Sequence, residues 1–391
     1  MIAAQEAKIT AYWHRSIFLL FVFLGAGFTS ISTRMPLVKS SLGVTATQLG
    51  LILLSQGLGA LVGLNLTGRL IIKTGTRIWI RVGYPALGIN VALGALFLGL
   101  HLNLLYICNA VLGGFIMGVT DVALNVDGTA IEARTGKTAM PRLHAGYSLG
   151  TLIGAAWGSV CAALQVNLFC MALPLCMVQI ALPFVLQRFL PRATGKATAE
   201  AKASSKDRGW FRPSLALLGI GILCMTVAEG AAYDWLTLGI RGGYHAPAAS
   251  AGLVFSVFFV GMVVTRFFGG LVADRVGKGN ALKLMAAIGV VGVVLVAVGS
   301  PNIWLAGLGG FMWGIGVALG FPLFLSAAGG GEHSAKQVGF VASWGYGAFL
   351  SGPPLLGFVA DHVGMLNMFF GISGFLVLAL LVSGAAGSRK S

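Results

Sequence analysis

Runs of about 20 apolar residues recur along the whole 391-residue chain, and this recurrence limits the fold more than any other feature. The hydrocarbon core of a bilayer is about 30 Å thick, which a helix of roughly 20 residues crosses. The runs lie near 16 to 37, 45 to 67, 79 to 100, 103 to 126, 144 to 164, 167 to 187, 214 to 236, 249 to 272, 281 to 300, 303 to 328, 338 to 360 and 364 to 386. They are continuous and rich in Leu, Ala and Gly, without the period-two alternation of a membrane barrel, so they predict twelve transmembrane helices in an all-α membrane protein. With 57% hydrophobic and only 9% charged residues, water cannot solvate most of this surface, and a soluble domain is excluded. The first run follows Arg15 as a signal peptide might, yet it continues through Phe28 without a cleavage pattern and is read as helix one. Cys108, Cys161, Cys170, Cys176 and Cys224 all fall within apolar runs, with no CxxC pair and no histidine at ligand spacing. They read as small buried hydrophobes rather than as disulfides or a metal site.

A net charge of +15 would suggest nucleic acid in a soluble protein. Here the placement of the 26 Lys and Arg decides otherwise. With twelve spans both termini lie on one side, and only Arg34, Lys39 and Arg241 fall on the other, with Arg266 inside a span. The positive-inside rule therefore predicts cytoplasmic termini. The longest hydrophilic stretch, 188–212, reads as a cytoplasmic linker between an N-terminal six-helix bundle, 1–187, and a C-terminal one, 213–391. The expected partners are the lipid bilayer, a small-molecule solute and protons. No nucleic acid, cofactor or metal is expected, and the chain is expected to act as a monomer.

The two halves repeat. An offset of 202 residues places GRLIIKTGTR, from Gly68, over GLVADRVGKG, from Gly270, so that helices two and eight correspond and each ends in a short basic turn. A second match sets AGYSLGTLIGAAWG, from Ala145, against WGYGAFLSGPPLLG, from Trp344, in helices five and eleven. Six spans per half make the repeats parallel, an arrangement found in secondary transporters whose solute site lies at mid-membrane between the halves.

The turn from Gly68 resembles the signature of the major facilitator superfamily between its helices two and three. Gly68, Leu70, Lys73, Gly75 and Arg77 match, while the acidic position holds Ile72; the second copy keeps Gly270, Asp274, Arg275, Gly277 and Lys278. With STRMP from Ser32, TDVALN from Thr120, HAGYSLG from His144, EGAAYDW from Glu229 and GYGAFLSGPPLLG from Gly345, nearly the whole chain is similar to a bacterial branch of that superfamily near the fucose permease. The resemblance implies the major facilitator fold, alternating access, and conformational gates at the two turns.

Ionisable residues inside spans are costly, about 2.5–3.5 kcal/mol each on insertion scales, and are functional candidates by default. Asp121 shares one face of helix four with Gly114, Gly118, Asn125, Gly128 and Glu132, a face that must meet protein or water. A carboxyl group that is costly when charged is suited to taking up and releasing a proton as a cavity opens to each side, although a purely packing role for Asp121 stays open. Glu229 and His144 are the other proton-coupling candidates, His144 as a relay or a local hydrogen-bonding residue at the start of helix five. Arg34, Glu229 and Asp234 are placed in the outer third of the membrane. Glu229 and Arg34 fall on equivalent faces of pseudo-symmetric helices, whereas Asp234 points toward a neighbouring helix or Arg241. Arg34, Asn125, Tyr147, Ser148 and Asp234 are candidates for the solute cavity or a gate. Arg266 reads as an ion pair or anchor at the cytoplasmic boundary.

No GxSxG, HExxH or Walker loop occurs, so neither an enzyme nor an ATP-driven pump is expected. The reading is a secondary active transporter that moves a small polar solute, sugar-like or an organic acid, by proton-coupled symport. The alternatives are proton-coupled efflux of a drug or metabolite, and a non-transporting sensor or receptor. Efflux loses ground because helix five carries Ala155 and Ala156 where proton antiporters carry a Gly-Pro pair, and Gly352 and Pro353 lie in helix eleven instead.

Overall fold

A computed structural model of the chain describes residues 2–135, 139–195, 212–328 and 334–387. Apart from short turns and connections those residues are helical, with no strand among them. In chain order the helices are α1 Ile2–Ser32, α2 Met35–Leu42, α3 Ala46–Thr74, α4 Thr76–Gly99, α5 Asn103–Thr135, α6 Met140–Ala163, α7 Leu168–Leu186, α8 Pro213–Ala231, α9 Thr237–Gly243, α10 Ala248–Val276, α11 Lys278–Val298, α12 Ile303–Val317, α13 Gly320–Ala328, α14 Ser334–Val363 and α15 Met365–Val382. A π-helical turn, Ala232–Leu236, joins α8 to α9. Ten stretches, from Lys8–Ser32 to Met365–Ala386, are long and apolar enough to cross a membrane. The helices α6 and α14, of 24 and 30 residues, occupy the fifth and eleventh expected positions.

Several boundaries differ from the hydropathy reading. The first run is not one helix to residue 37. It breaks at Thr33 and Arg34, and α2 restarts with Pro36 in its first turn, where a missing N–H leaves no helical bond unmade. Helix seven does not stop near 236; α8, the π-turn and α9 form one stretch from Pro213 to Gly243. The tenth run divides into α12 and α13. Of the linker expected over 188–212, residues 196–211 lie outside the described residues.

By their contacts the helices form two compact units, Met1–Ile31 with Ser55–Ser204, and Ser32–Leu54 with Ser205–Ser391. The first is centred on Trp13, Ile17, Phe21, Tyr84, Leu124 and Leu143. Its helices approach closely where glycine removes a side chain. A Cβ at Gly150 would meet the Val22 carbonyl, and one at Gly114 the Gln56 carbonyl. The second has an aromatic core in which Phe255, Phe258, Phe259, Trp313 and Phe369 pack edge to face.

Helix ends are closed by side chains whose positions the sequence fixes locally. Thr45 and Gln48 form a reciprocal capping box at the start of α3, and Asn302 caps α12. Two caps come from distant carboxylates. Glu132 accepts from the backbone N–H groups of Ala139 and Met140 (2.7 and 2.9 Å) ahead of α6, and Asp361 accepts from those of Ala46 and Thr47 (2.9 and 2.7 Å) ahead of α3.

Candidate functional site

In the first unit Asp121 lies in the central part of α5, partly buried. Its face does meet protein. Gly114 and Gly118 press on the α3 backbone, Gly128 on Met140 and Leu143, and Glu132 caps α6. Asn125, one turn on, donates to the Asp121 backbone carbonyl at 2.9 Å. Tyr84, fully buried, donates to the Leu20 carbonyl and lies close enough to couple to the Asp121 charge. No cation pairs with Asp121 among the described residues.

The residues expected beside Asp121 on helix five have different surroundings. His144 is exposed, with its ring 5.3 Å from that of Phe21, and its carbonyl accepts from the Ser148 hydroxyl. Ser148 and Thr151 are fully buried where α6 packs on α1, and the Thr29 hydroxyl donates to the Thr151 carbonyl at 2.8 Å. Tyr147 is half-buried, its carbonyl against Gly25. A residue that the sequence reading passes over is Asp127. It is fully buried six positions after Asp121 and takes a 2.7 Å hydrogen bond from the Trp13 indole at the start of helix one. Six positions turn the helix by about 240°, which puts Asp127 off the Asp121 face.

In the second unit Glu229 and Arg266 form the one ion pair among the described residues, Nη2 to Oε1 at 2.9 Å. The Arg266 Nε also donates to the Ala318 carbonyl at 3.3 Å. This corrects two heights. Glu229 is not in the outer third; the helix that carries it runs on to Gly243, which leaves Glu229 near the middle of a 31-residue stretch. Arg266, on α10, stands level enough with it to form the ion pair that is one of its two readings from sequence, near the middle of the helix rather than at its cytoplasmic end. The pair is not fully buried, with side chains 13% and 20% exposed for Glu229 and Arg266.

Asp234 falls inside the π-turn, half-buried, and does not meet Arg241, whose guanidinium donates instead to the Ala246 carbonyl at 2.8 Å. Single π-turns are frequent at functional positions because the widened turn re-aims the side chains that follow. Arg34 occupies the break between α1 and α2 and is 9% exposed.

The two signature turns share a backbone geometry. Gly75 (φ 81°, ψ 167°) and Gly277 (φ 82°, ψ 152°), 202 residues apart, both adopt a conformation open in practice to glycine alone. Gly68 and Lys73 lie in the last part of α3, and Arg77 opens α4; Gly270, Asp274 and Arg275 lie in the last part of α10. Lys73, Asp274 and Arg275 are exposed, and none of them enters an ion pair among the described residues.

The Major Facilitator Superfamily sequence profile matches residues 17–330. An uncharacterised MFS-type transporter of Yersinia pestis is 26% identical over 378 residues, 95% of this chain and 94% of that one. Membrane protein MosC of Rhizobium meliloti is 26% identical, with 88% of this chain and 83% of that one aligned. The multidrug resistance protein MdtG of Salmonella choleraesuis is similar over a shorter region, 30% identical across 37% of this chain and 36% of its own. Among solved structures, a mutant of the nucleoside transporter NupG superposes with a TM-score of 0.75 at 14% identity, covering 97% of this chain and 99% of its own. The Escherichia coli fucose:proton symporter FucP does so with 0.64 at 14% identity, covering 96% and 98%. A multi-pass membrane chain of long apolar helices, with paired glycine turns in the family's positions and this profile over most of its length, belongs to the Major Facilitator Superfamily.

Proposed function

We propose that this chain is a proton-coupled secondary transporter of twelve spans in two six-helix halves, importing a small polar solute across the bacterial inner membrane with both termini in the cytoplasm. The observation that carries the reading is Asp121, a carboxyl group in the central part of a membrane-spanning helix with no cation paired to it among the described residues. An uncompensated charge there is costly, so the group serves best when it binds a proton in one state and releases it in another. Glu229 was a second candidate for that role, but Arg266 neutralises it, which makes it a poor proton carrier and a better solute ligand. Fold similarity to a fucose:proton symporter and a nucleoside transporter supports import of a polar solute. Efflux is favoured by the partial similarity to MdtG, which covers little more than a third of the chain.

The test is uptake into proteoliposomes driven by an inward pH gradient. Asp121→Asn keeps the shape of the side chain and removes its titration. The variant is expected to lose accumulation above equilibrium while still exchanging solute across the membrane. Undiminished accumulation by Asp121→Asn would contradict the assignment.

A further inference from the structure

We propose that the Glu229–Arg266 pair is a solute site for a neutral, polyhydroxylated molecule, bound through two adjacent hydroxyl groups; this rests on the transporter reading above and narrows its solute class.

The argument begins with charge. The pair lies near the middle of a helix that spans the membrane, and both side chains are partly accessible rather than sealed in the core. Together they are neutral. An anionic solute bound beside Glu229 would leave the site with a net negative charge in the membrane interior, and one that displaced Glu229 would strand a carboxylate there. A cationic solute would face the same exchange at Glu229. A neutral hydroxyl needs no exchange, because it can donate to a carboxylate oxygen and accept from a guanidinium N–H without separating the ions.

The geometry leaves room for this. The contact is single, through Oε1 and Nη2, and among the described residues Oε2 of Glu229 has no hydrogen bond. A carboxylate has two oxygens and a guanidinium five N–H donors, so the pair can stay intact while each partner takes one further bond. Two hydroxyl groups on neighbouring carbons match that spacing, one facing the carboxylate and the other the guanidinium.

An aromatic ring lies beside Gly230, the residue that follows Glu229. Gly230 leaves its outer side open, with the ring of Phe349 the nearest atoms at 3.9 Å from where a Cβ would stand. Phe349 is 50% exposed, and Tyr346, one turn before it on α14, is 46% exposed. A polyhydroxylated ring presents C–H groups on one face and hydroxyls on its rim, which suits an aromatic face beside a carboxylate–guanidinium pair. The π-turn starts three residues after Glu229, so the helix widens beyond the pair.

The test is thermal unfolding of the purified full-length protein in detergent, with neutral pentoses, hexoses and ribonucleosides on one arm and L-lactate and succinate on the other. A neutral polyol is expected to raise the melting temperature, and its affinity is expected to fall at least tenfold in Glu229→Gln. Should that variant fail to fold, Phe349→Leu, which leaves the pair intact, is expected to weaken the same solute several-fold. Stabilisation by the carboxylates alone, by nothing in the panel, or by polyols equally well in both variants would each overturn the assignment. Uptake of the stabilising polyol into proteoliposomes separates the two readings. Binding without uptake would sink the transport function and leave the site standing, whereas uptake of an organic acid alone would do the reverse.

Discussion

Among single residues, the acids divide by what compensates them. Asp121 has no paired cation, Glu229 has Arg266, Asp127 has the Trp13 indole, and Glu132 and Asp361 each cap a helix. Sequence pattern found Asp121 because it stands alone in an apolar run. It could not find the Trp13 contact, which closes over 114 residues and starts before the first hydropathy peak. Nor did it find the Arg266 partner, because one helix was read as too short and Glu229 was therefore placed too far out. Asp361, beyond the apolar part of α14, gives a prediction with a definite sign. Partial burial pushes its carboxyl up, but hydrogen bonds from Thr47, Ala46 and Thr45 outweigh this and hold it at about 2, below the ordinary 3.8. A group held low in the folded state contributes stability that is full above about pH 4 and is lost as pH falls toward 2. Asp361→Asn is expected to remove that acid-dependent component and to cost about 1 kcal/mol at neutral pH, the usual worth of a helix N-cap, as read from melting temperature against pH. Equal acid sensitivity in the variant would contradict the capping role.

At the level of elements, hydropathy placed nearly every long helix, since about 20 apolar residues admit few other structures in a bilayer. It missed the breaks. Pro36 was available as a sign that α2 restarts, but the π-turn at Ala232–Leu236 has no proline to announce it. The contacts give particular glycines a specific packing reason. A Cβ at Gly314 would meet the Phe258 carbonyl, so α10 and α12 are held at backbone contact. Gly314→Ala is expected to force the two helices apart at a cost of about 1–3 kcal/mol, seen as a lower melting temperature in detergent. An unchanged melting temperature would mean that the contact is looser than the geometry implies. Near the start of α3, Gly50 likewise admits the Pro353 carbonyl, and Gly357 of α14 admits the Ala46 carbonyl beside the Asp361 cap. The segment Ser32–Leu54 is grouped with the second unit through contacts of this kind, something that no local pattern could foretell.

For the whole molecule, charge balance connects the two proposals. If the solute is neutral and Asp121 carries the proton, each cycle moves one positive charge with the solute, so transport generates current. With the orientation and symport proposed above, an inward proton gradient would drive accumulation in the cell. The repeat was legible as a 202-residue offset and returns in the matched backbone angles of Gly75 and Gly277. The asymmetry between the halves was legible only in part: the sequence shows where the acids are, and the contacts show which of them are already neutralised. The most direct measurement is the transient current of proteoliposomes on a solid-supported membrane when the stabilising neutral solute is added. The account predicts an inward positive current for the native chain that Asp121→Asn abolishes while solute binding persists. Solute uptake that proceeds with no current, or a current of the same size in Asp121→Asn, would contradict it.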